Sequence, residues 1–436
     1  MATDASSARA AADRSALEQL WGAVPRPVFS GGNAVRLLRG GEELFPALVE
    51  AIDEARHEVC LATYIFHDDL AADSVTQALI RAAQRGVQVK VVLDGFGMLG
   101  RLSELQRRLT EGTVQVAVYR PLDRWWNWLQ PGQLRRLHLK LCVADAQIAF
   151  VGGINLMDDR FDLNHGWTEE PRLDFAVRVT GPVVGPIHQA TIAAWTRAHL
   201  GSAFKEEALA IVRGAEPMAR VRRLIRRLRL SRGQGMQVTP GVPSPMQAAF
   251  VLRDNVRQRR TIERSYIDAI AKAGKRVDLV SPYFYPGRSF RRALKHAAQR
   301  GVAVRLLLQG KVDYRIASLA ARALYDELLG QGVRIFEYTP AYLHAKIALV
   351  DDDWATVGSS NIDPLSLLLN LEANVIVRDG DFNAQLSAQF DAAVAVSDEI
   401  DPKLKYRTGV LGALRRAVVA WVAYIYLRVA GATGRY

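Results

Sequence analysis

The stretch Leu137–Asn155, LHLKLCVADAQIAFVGGIN, sets His138 and Lys140 two residues apart in an otherwise apolar, strand-like run, followed by Asp145, Gly152 and Asn155. On a strand, positions i and i+2 point to one face, so imidazole and ammonium share a space while Leu139, Leu141 and Val143 point the other way. Near neutral pH an imidazole attacks an electrophile or passes a proton, and a neighbouring ammonium holds developing negative charge. One such pair is also compatible with a satisfied core histidine. The second half of the chain repeats it. In Leu343–Asn361, LHAKIALVDDDWATVGSSN, His344, Lys346 and Asp351 keep the spacing of the first motif, and Gly358 and Asn361 match Gly152 and Asn155.

The elements that must position these residues are duplicated too. AAQRGVQVKVVLDG at 82–95 and AAQRGVAVRLLLQG at 297–310 share nine of fourteen positions, and AVYRP at 117–121 answers FEYTP at 336–340. Each copy reads as strand, helix, strand, helix, strand, then two strands carrying the motif. Helices are expected over Glu42–Ala55 and Asp73–Arg85, and again over Ser289–Arg300 and Ile316–Leu329. Gly86, Gly301 and Gly332 then stand as C-cap glycines before β-branched strand starts. The fold class is α/β, with helices covering largely buried sheets.

With 436 residues the chain has room for two domains and a large core. Cys60 and Cys142, the two cysteines, lie in apolar strand-like runs and read as reduced core thiols. A net charge of +12 points to a polyanionic partner, a nucleic acid or an anionic membrane surface. The first residues, MATDASSARAAADRS, carry no apolar run of the secretory kind. No run approaches the roughly 20 apolar residues that span a bilayer; the nearest is Ala417–Leu427.

Two copies of H-x-K-x4-D followed by G-x-x-N resemble the phospholipase D superfamily, from about Arg36 to the 390s. The resemblance implies a pseudo-two-fold, bilobal enzyme of two homologous repeats, each a mixed β-sheet flanked by helices. Its expected parts are a segment at 1–30, a first domain at 31–200, a basic connecting segment at 201–247, a second domain at 248–400 and an apolar segment at 401–436. It implies phosphodiester exchange with no cofactor and no metal, through a phosphohistidine. By that resemblance His138 attacks phosphorus, and His344 protonates the departing oxygen and then deprotonates the acceptor. Lys140 and Lys346 hold the phosphoryl oxygens, with Asn155 and Asn361 as neutral donors. Asp174 and Glu372 are candidates to hold the histidines' other ring nitrogens, crossing between halves: Glu372 to His138 and Asp174 to His344. Asp145 and Asp351 belong to the motif at strand-turn positions, where a structural role is equally open. Ser359 stands where the first copy has Gly153, and is expected to add a hydroxyl near the phosphate.

The stretches RDNVRQRRTIERSYIDAI, SPYFYPG and DFNAQL look like the B-type branch of bacterial cardiolipin synthases. That branch implies transfer of a phosphatidyl group between two phosphatidylglycerols at the cytoplasmic face of the cell membrane, with no nucleic acid partner. Trp125, Trp126 and Trp128 precede the first motif and either meet the bilayer interface or cap the site. The basic amphipathic stretch around Arg220–Arg232 and the apolar Leu414–Gly431 leave the same choice between lipid and core. Other phosphatidyltransferases or lipid hydrolases, and a nuclease of the same superfamily, remain alternatives at this level.

Overall fold

The computed structural model describes residues 25–98, 102–121, 135–213, 246–254, 258–311, 318, 321–363 and 370–401. The tryptophan stretch, the Arg220–Arg232 stretch and Leu414–Gly431 lie outside them.

In chain order the first half contains β1 (Ala34–Arg39), α1 (Gly40–Glu54), β2 (Glu58–Thr63), α2 (Leu70–Gln84), β3 (Gln88–Asp94), α3 (Leu102–Glu111) and β4 (Gln115–Tyr119). There follow β5 (Leu141–Ala144), β6 (Ile148–Gly152), a short hairpin of β7 (Phe161–Asp162) and β8 (Gly166–Trp167), then β9 (Phe175–Thr180) and α4 (Val184–Arg213). The second half repeats the plan with β10 (Gln247–Arg253), α5 (Thr261–Lys272), β11 (Arg276–Ser281), α6 (Arg288–Gln299), β12 (Ala303–Gln309), α7 (Tyr325–Leu329) and β13 (Arg334–Tyr338). It continues through β14 (Ile347–Val350), β15 (Trp354–Gly358), β16 (Glu372–Arg378), α8 (Gly380–Ala395) and β17 (Asp398–Glu399). The two sheets have the same spatial order, β1-β9-β6-β5-β2-β3-β4 and β10-β16-β15-β14-β11-β12-β13, with β17 added at the second edge. Of the helix expected over Ile316–Leu329, the described residues are helical at 318, at 321–322 and, after a turn at 323–324, over Tyr325–Leu329.

The repeated sequence makes repeated geometry. Gly86 and Gly301 have φ of 89° and 86°, a region that costs other residues a clash at Cβ. The Gly86 N–H donates to Ala83 O at 2.9 Å and Val87 N–H to Ala82 O at 3.1 Å; Gly301 and Val302 make the same two bonds at the same lengths. This is a Schellman stop, and it aims β3 and β12 into their sheets from α2 and α6.

Strand alternation then sorts the core into layers. Leu141 and Val143 of β5 and Ile347 and Leu349 of β14 face a cluster shared by both halves, which also takes in Ile187 and Ala194 of α4 and Phe382 and Leu386 of α8. Their neighbours Cys142 and Ala144, and Ala348 and Val350, face the outer helices of their own half. Both cysteines are free and buried, and burial pushes each thiol up to about 12. A shared core of this kind fixes the two sheets face to face, and with them the two motifs.

Candidate active site

His138 and Lys140 do not lie on the strand where their alternation places them; they precede β5, as His344 and Lys346 precede β14. The reason is where the backbone finds partners. Leu137 bridges Leu371 and Leu173 bridges Leu343, each across the two halves. His138 N–H donates to Leu371 O at 3.1 Å and Leu371 N–H to Arg136 O at 2.9 Å; His344 N–H donates to Leu173 O at 2.9 Å and Leu173 N–H to Tyr342 O at 3.0 Å. Each motif therefore enters its own sheet only after pairing with the residues that lead into the other half's acid.

That exchange brings the side chains together. Glu372 Oε2 lies 2.9 Å from His138 Nδ1, and Asp174 Oδ2 lies 2.6 Å from His344 Nδ1. Both carboxyls are fully buried, while the His138 and His344 side chains keep 12% and 17% exposure, so the imidazoles are what a substrate meets. A carboxylate on Nδ1 places the ring proton there and leaves Nε2 with its lone pair outward. Burial lowers the pKa of His138, opposed by Glu372, and burial followed by the charge of Lys346 holds His344 well below the usual imidazole range. The lowering favours the neutral ring in the free protein, the form that acts as nucleophile or base.

The lysines are desolvated in the same space. Burial brings Lys140 down to about 8, with Glu372 and Asp174 opposing, and Lys346 to about 7, with Asp174 opposing. Lys140 donates to His138 O at 3.2 Å and sits 5.3 Å from the centre of the Tyr64 ring; Lys346 donates to His344 O. Burial also raises Asp174 to about 7, and Lys346 is the first influence pulling it back. An arriving phosphodiester anion restores the lysines' charge, so binding energy is concentrated on the phosphoryl group. The Asn155 and Asn361 side chains are buried, and Oδ1 of each has no hydrogen-bond partner among the described residues, as does Glu372 Oε1.

The two motif aspartates lie at the strand turns, and the Ser359 hydroxyl has a different place from the one expected. The Asp145 carboxylate accepts from the backbone N–H groups of Arg56, His57 and Glu58 at 2.8 to 2.9 Å, and Asp351 accepts from those of Gly274, Lys275 and Arg276 at 2.7 to 3.2 Å. Each sits at φ near 50° in the turn between the motif strands and ties that turn to the start of β2 or β11, away from the imidazoles. Their bonds are those of fasteners for the turns. Ser359 is fully buried, and its hydroxyl donates to Glu372 Oε2 at 2.6 Å rather than reaching toward a phosphate. Its counterpart Gly153 has no room for a side chain, since a Cβ there would lie 2.3 Å from Asp174 Oδ1.

Other residues at the site carry no repeat signal. Tyr64 packs edge-on against the His138 ring with centroids 5.0 Å apart, and the second half has Pro282 at that point. Arg253 is fully buried and is the cross-strand partner of Glu372; burial lowers it to about 10, so it stays cationic. Arg172, bonded to Asp162 at 3.1 Å, bears on His344 through its charge. Comparing the halves position by position reveals them, because each breaks the duplication.

Among the described residues, Glu58, Cys60 and His188 form a group able to hold a metal, with His188 Nε2 2.7 Å from Glu58 Oε1. Glu58 opens β2 and Tyr64 follows its other end, so this group is remote from the imidazoles. Protonated at neutral pH, the Cys60 thiol is a poor ligand.

Two duplicated α/β sheets that exchange carboxylates onto a pair of outward-facing histidines, with two desolvated lysines between, define the phospholipase D-like class of phosphodiester enzymes. The family described as cardiolipin synthase, PLD-like domain, matches residues 48–167 and 266–394. The chain is 38% identical over 364 residues to cardiolipin synthase B of Shigella flexneri, covering 84% of this chain and 81% of that protein, and the figures are the same for the Escherichia coli K12 protein. With cardiolipin synthase A of Pseudomonas putida GB-1 it is 30% identical over 384 residues, 87% of this chain and 73% of that protein. In fold it resembles the crystal structure of phosphatidylserine synthase from Haemophilus influenzae Rd KW20, with a TM-score of 0.61 at 15% identity over 94% and 98% of the two chains. The chain belongs to the cardiolipin synthase family of the phospholipase D superfamily, a family of phosphatidyltransferases.

Proposed function

We propose that the protein is a cardiolipin synthase that moves a phosphatidyl group from one phosphatidylglycerol to the free hydroxyl of another, releasing glycerol. The observation that carries the reading is the crossed pair His138–Glu372 and His344–Asp174 around two buried lysines. As the phosphodiester anion binds, its charge favours protonation of His344 at Nε2; His138 Nε2 then attacks phosphorus, the P–O bond to glycerol breaks, and the leaving oxygen takes that proton from His344. The acceptor's hydroxyl then loses its proton to His344 and attacks the same phosphorus, and the P–N bond breaks. Lys140 and Lys346 hold the phosphoryl oxygens throughout, and Glu372, kept in place by Ser359, steadies the imidazolium character that grows on His138.

Contact with a membrane surface is part of the proposal. Leu70, Leu163 and Trp167 are 92%, 44% and 67% exposed, on the α2 start and the β7–β8 hairpin, two segments joined by the Asp158 N–H bond to Asp69. Apolar and indole side chains held out in this way suit a bilayer interface. Among the described residues no helix is long and apolar enough to cross a membrane.

The test is to incubate the purified protein with labelled phosphatidylglycerol in detergent micelles and resolve the products. Glycerol released together with a four-chain lipid supports the reading. Phosphatidic acid as the sole product overturns it in favour of a hydrolase.

A further inference from the structure

The site is built on a pseudo-two-fold, yet its two ends differ in charge. At the His138 end, Arg120 follows β4, Arg135 and Arg136 lead into the motif, and Arg253 ends β10 beside Glu372. The repeat aligns Arg120, Arg135 and Arg136 with Thr339, Ala341 and Tyr342, and strand register aligns Arg253 with Gly40. Four guanidinium groups at one end face none at the equivalent positions of the other.

Two of the four have structural partners. Arg136 Nη1 donates to Arg120 O at 3.1 Å and lies 3.8 Å from the buried Asp94 carboxylate, with its guanidinium over the Phe96 ring; Arg253 neighbours Glu372. Arg120 and Arg135 are different. Arg120 Nη1 is buried without a hydrogen-bond partner, its guanidinium meeting only the Tyr119 ring at 5.3 Å among the described residues. Arg135 is half-buried and makes no ion pair or hydrogen bond among the described residues. Burial and then the charges of Arg120 and Arg259 hold its guanidinium below the ordinary range. Like charges brought together with partial loss of water are costly unless an anion joins them.

In the proposed reaction the two histidines act on one phosphodiester. A glycerophospholipid acceptor brings a second, one glycerol away from the hydroxyl that attacks. We propose that Arg120 and Arg135, with Arg259 in electrostatic reach from the second half, form a second anion subsite that holds the acceptor's own, non-reacting phosphodiester. Planar guanidinium forks suit two phosphate oxygens, whereas the motif's lysines act as point charges at the reacting phosphorus. The subsite selects among acceptors; it makes no bond and moves no proton. It rests on the phosphatidyl-transfer reading above.

The experiment offers phosphatidylglycerol in nonionic detergent micelles with ethanol as a competing acceptor that carries no phosphate, and reads the ratio of cardiolipin to phosphatidylethanol. Arg120→Gln and Arg135→Gln are each expected to lower that ratio about tenfold, the loss of one charge-assisted hydrogen bond. Arg135→Lys, which keeps charge and bulk but not the fork, is expected to lower it about threefold, and is the variant to read where the glutamine change unfolds the chain. An unchanged ratio in the folded variants overturns the subsite. So does a loss seen on anionic vesicles and absent in micelles, which assigns the arginines to the bilayer surface. Wild-type protein that makes phosphatidylethanol but no cardiolipin overturns instead the proposed reaction, before any arginine is changed.

Discussion

The two halves share a frame and differ in what stands behind each histidine. Helix stops, turn fasteners and crossed backbone bonds repeat, with bond lengths that agree to a tenth of an ångström at the Gly86 and Gly301 stops. Behind His138 stands a longer acid, Glu372, whose Oε2 takes both Nδ1 and the Ser359 hydroxyl, with Arg253 across the strand. Behind His344 stands a shorter acid, Asp174, pressed against a glycine and bonded by the Phe175 N–H at 2.8 Å. The frame must superpose two imidazoles on one phosphorus, so it is held symmetric. The supports are free to diverge because attack and proton transfer ask different things of a ring: one must become and stay cationic, the other must gain and lose a proton.

The sharpest break in that comparison is removal of each imidazole. His138→Ala and His344→Ala are each expected to lower turnover by about 10⁴-fold or more, since the two rings act as a unit. They part in what accumulates. With labelled lipid, His344→Ala is expected to retain some covalent phosphatidyl-protein and His138→Ala none. Label trapped on the His138→Ala protein reverses the roles.

The supports come next in size. Gly153→Ala drives a Cβ into Asp174 Oδ1 and is expected to reduce activity about a hundredfold, with a loss of about 2 kcal/mol in stability from overpacking. Ser359→Ala removes one donor from Glu372 and leaves the carboxylate buried, for an expected loss of about tenfold. Comparable losses from the two would mean that both acids are held in the same way. Urea melts beside steady-state rates separate the folding part from the chemical part.

The lysines give a smaller, pH-dependent difference. In the free protein Lys346 gives up its proton near 7 and Lys140 near 8. Deprotonation removes the charge that holds the phosphoryl oxygens, so kcat/KM is expected to fall as pH rises from 7 to 9. A bound phosphodiester favours the charged ammonium, so kcat should hold to higher pH. Lys140→Arg keeps its charge and should remove the upper step of the decline if the fork fits. A kcat/KM profile flat to pH 9 would show that neither lysine is depressed.

How much of this was legible in the sequence follows from what duplication preserves. The motif spacing and the AAQRGV junction fixed both hairpins and two helix stops, and the resemblance supplied the crossing of Asp174 and Glu372. What the spacing could not show is that His138 and Lys140 leave their strand, because the partners of that backbone lie more than two hundred residues away. Ser359 departs from its expected place for a related reason: in sequence, a hydroxyl beside a phosphate site and one bonded behind an acid look alike until the strand after it is in place. Tyr64 and the arginines have no counterpart in the other half, so a search for repeats passes over them.

The smallest expected effect concerns the aspartates that give the motif its third letter. Partial burial pushes the carboxyls of Asp145 and Asp351 upward, yet three backbone donors apiece hold them below the ordinary range. A depressed carboxyl stabilises the fold fully above its unfolded pKa near 4 and loses that contribution as pH falls through the lower folded value. Asp145→Asn keeps an acceptor and tolerates the left-handed backbone, so at pH 7 it is expected to cost about 1 kcal/mol in urea melts while kcat/KM stays within about threefold of wild type. Asp351→Asn should do the same, because the two turns are bonded alike. The stability gap between each variant and wild type should close on titration from pH 5 toward pH 3, where the native carboxylate is protonated as well. A hundredfold fall in turnover in a stably folded Asp145→Asn protein would put the carboxylate back into the chemistry.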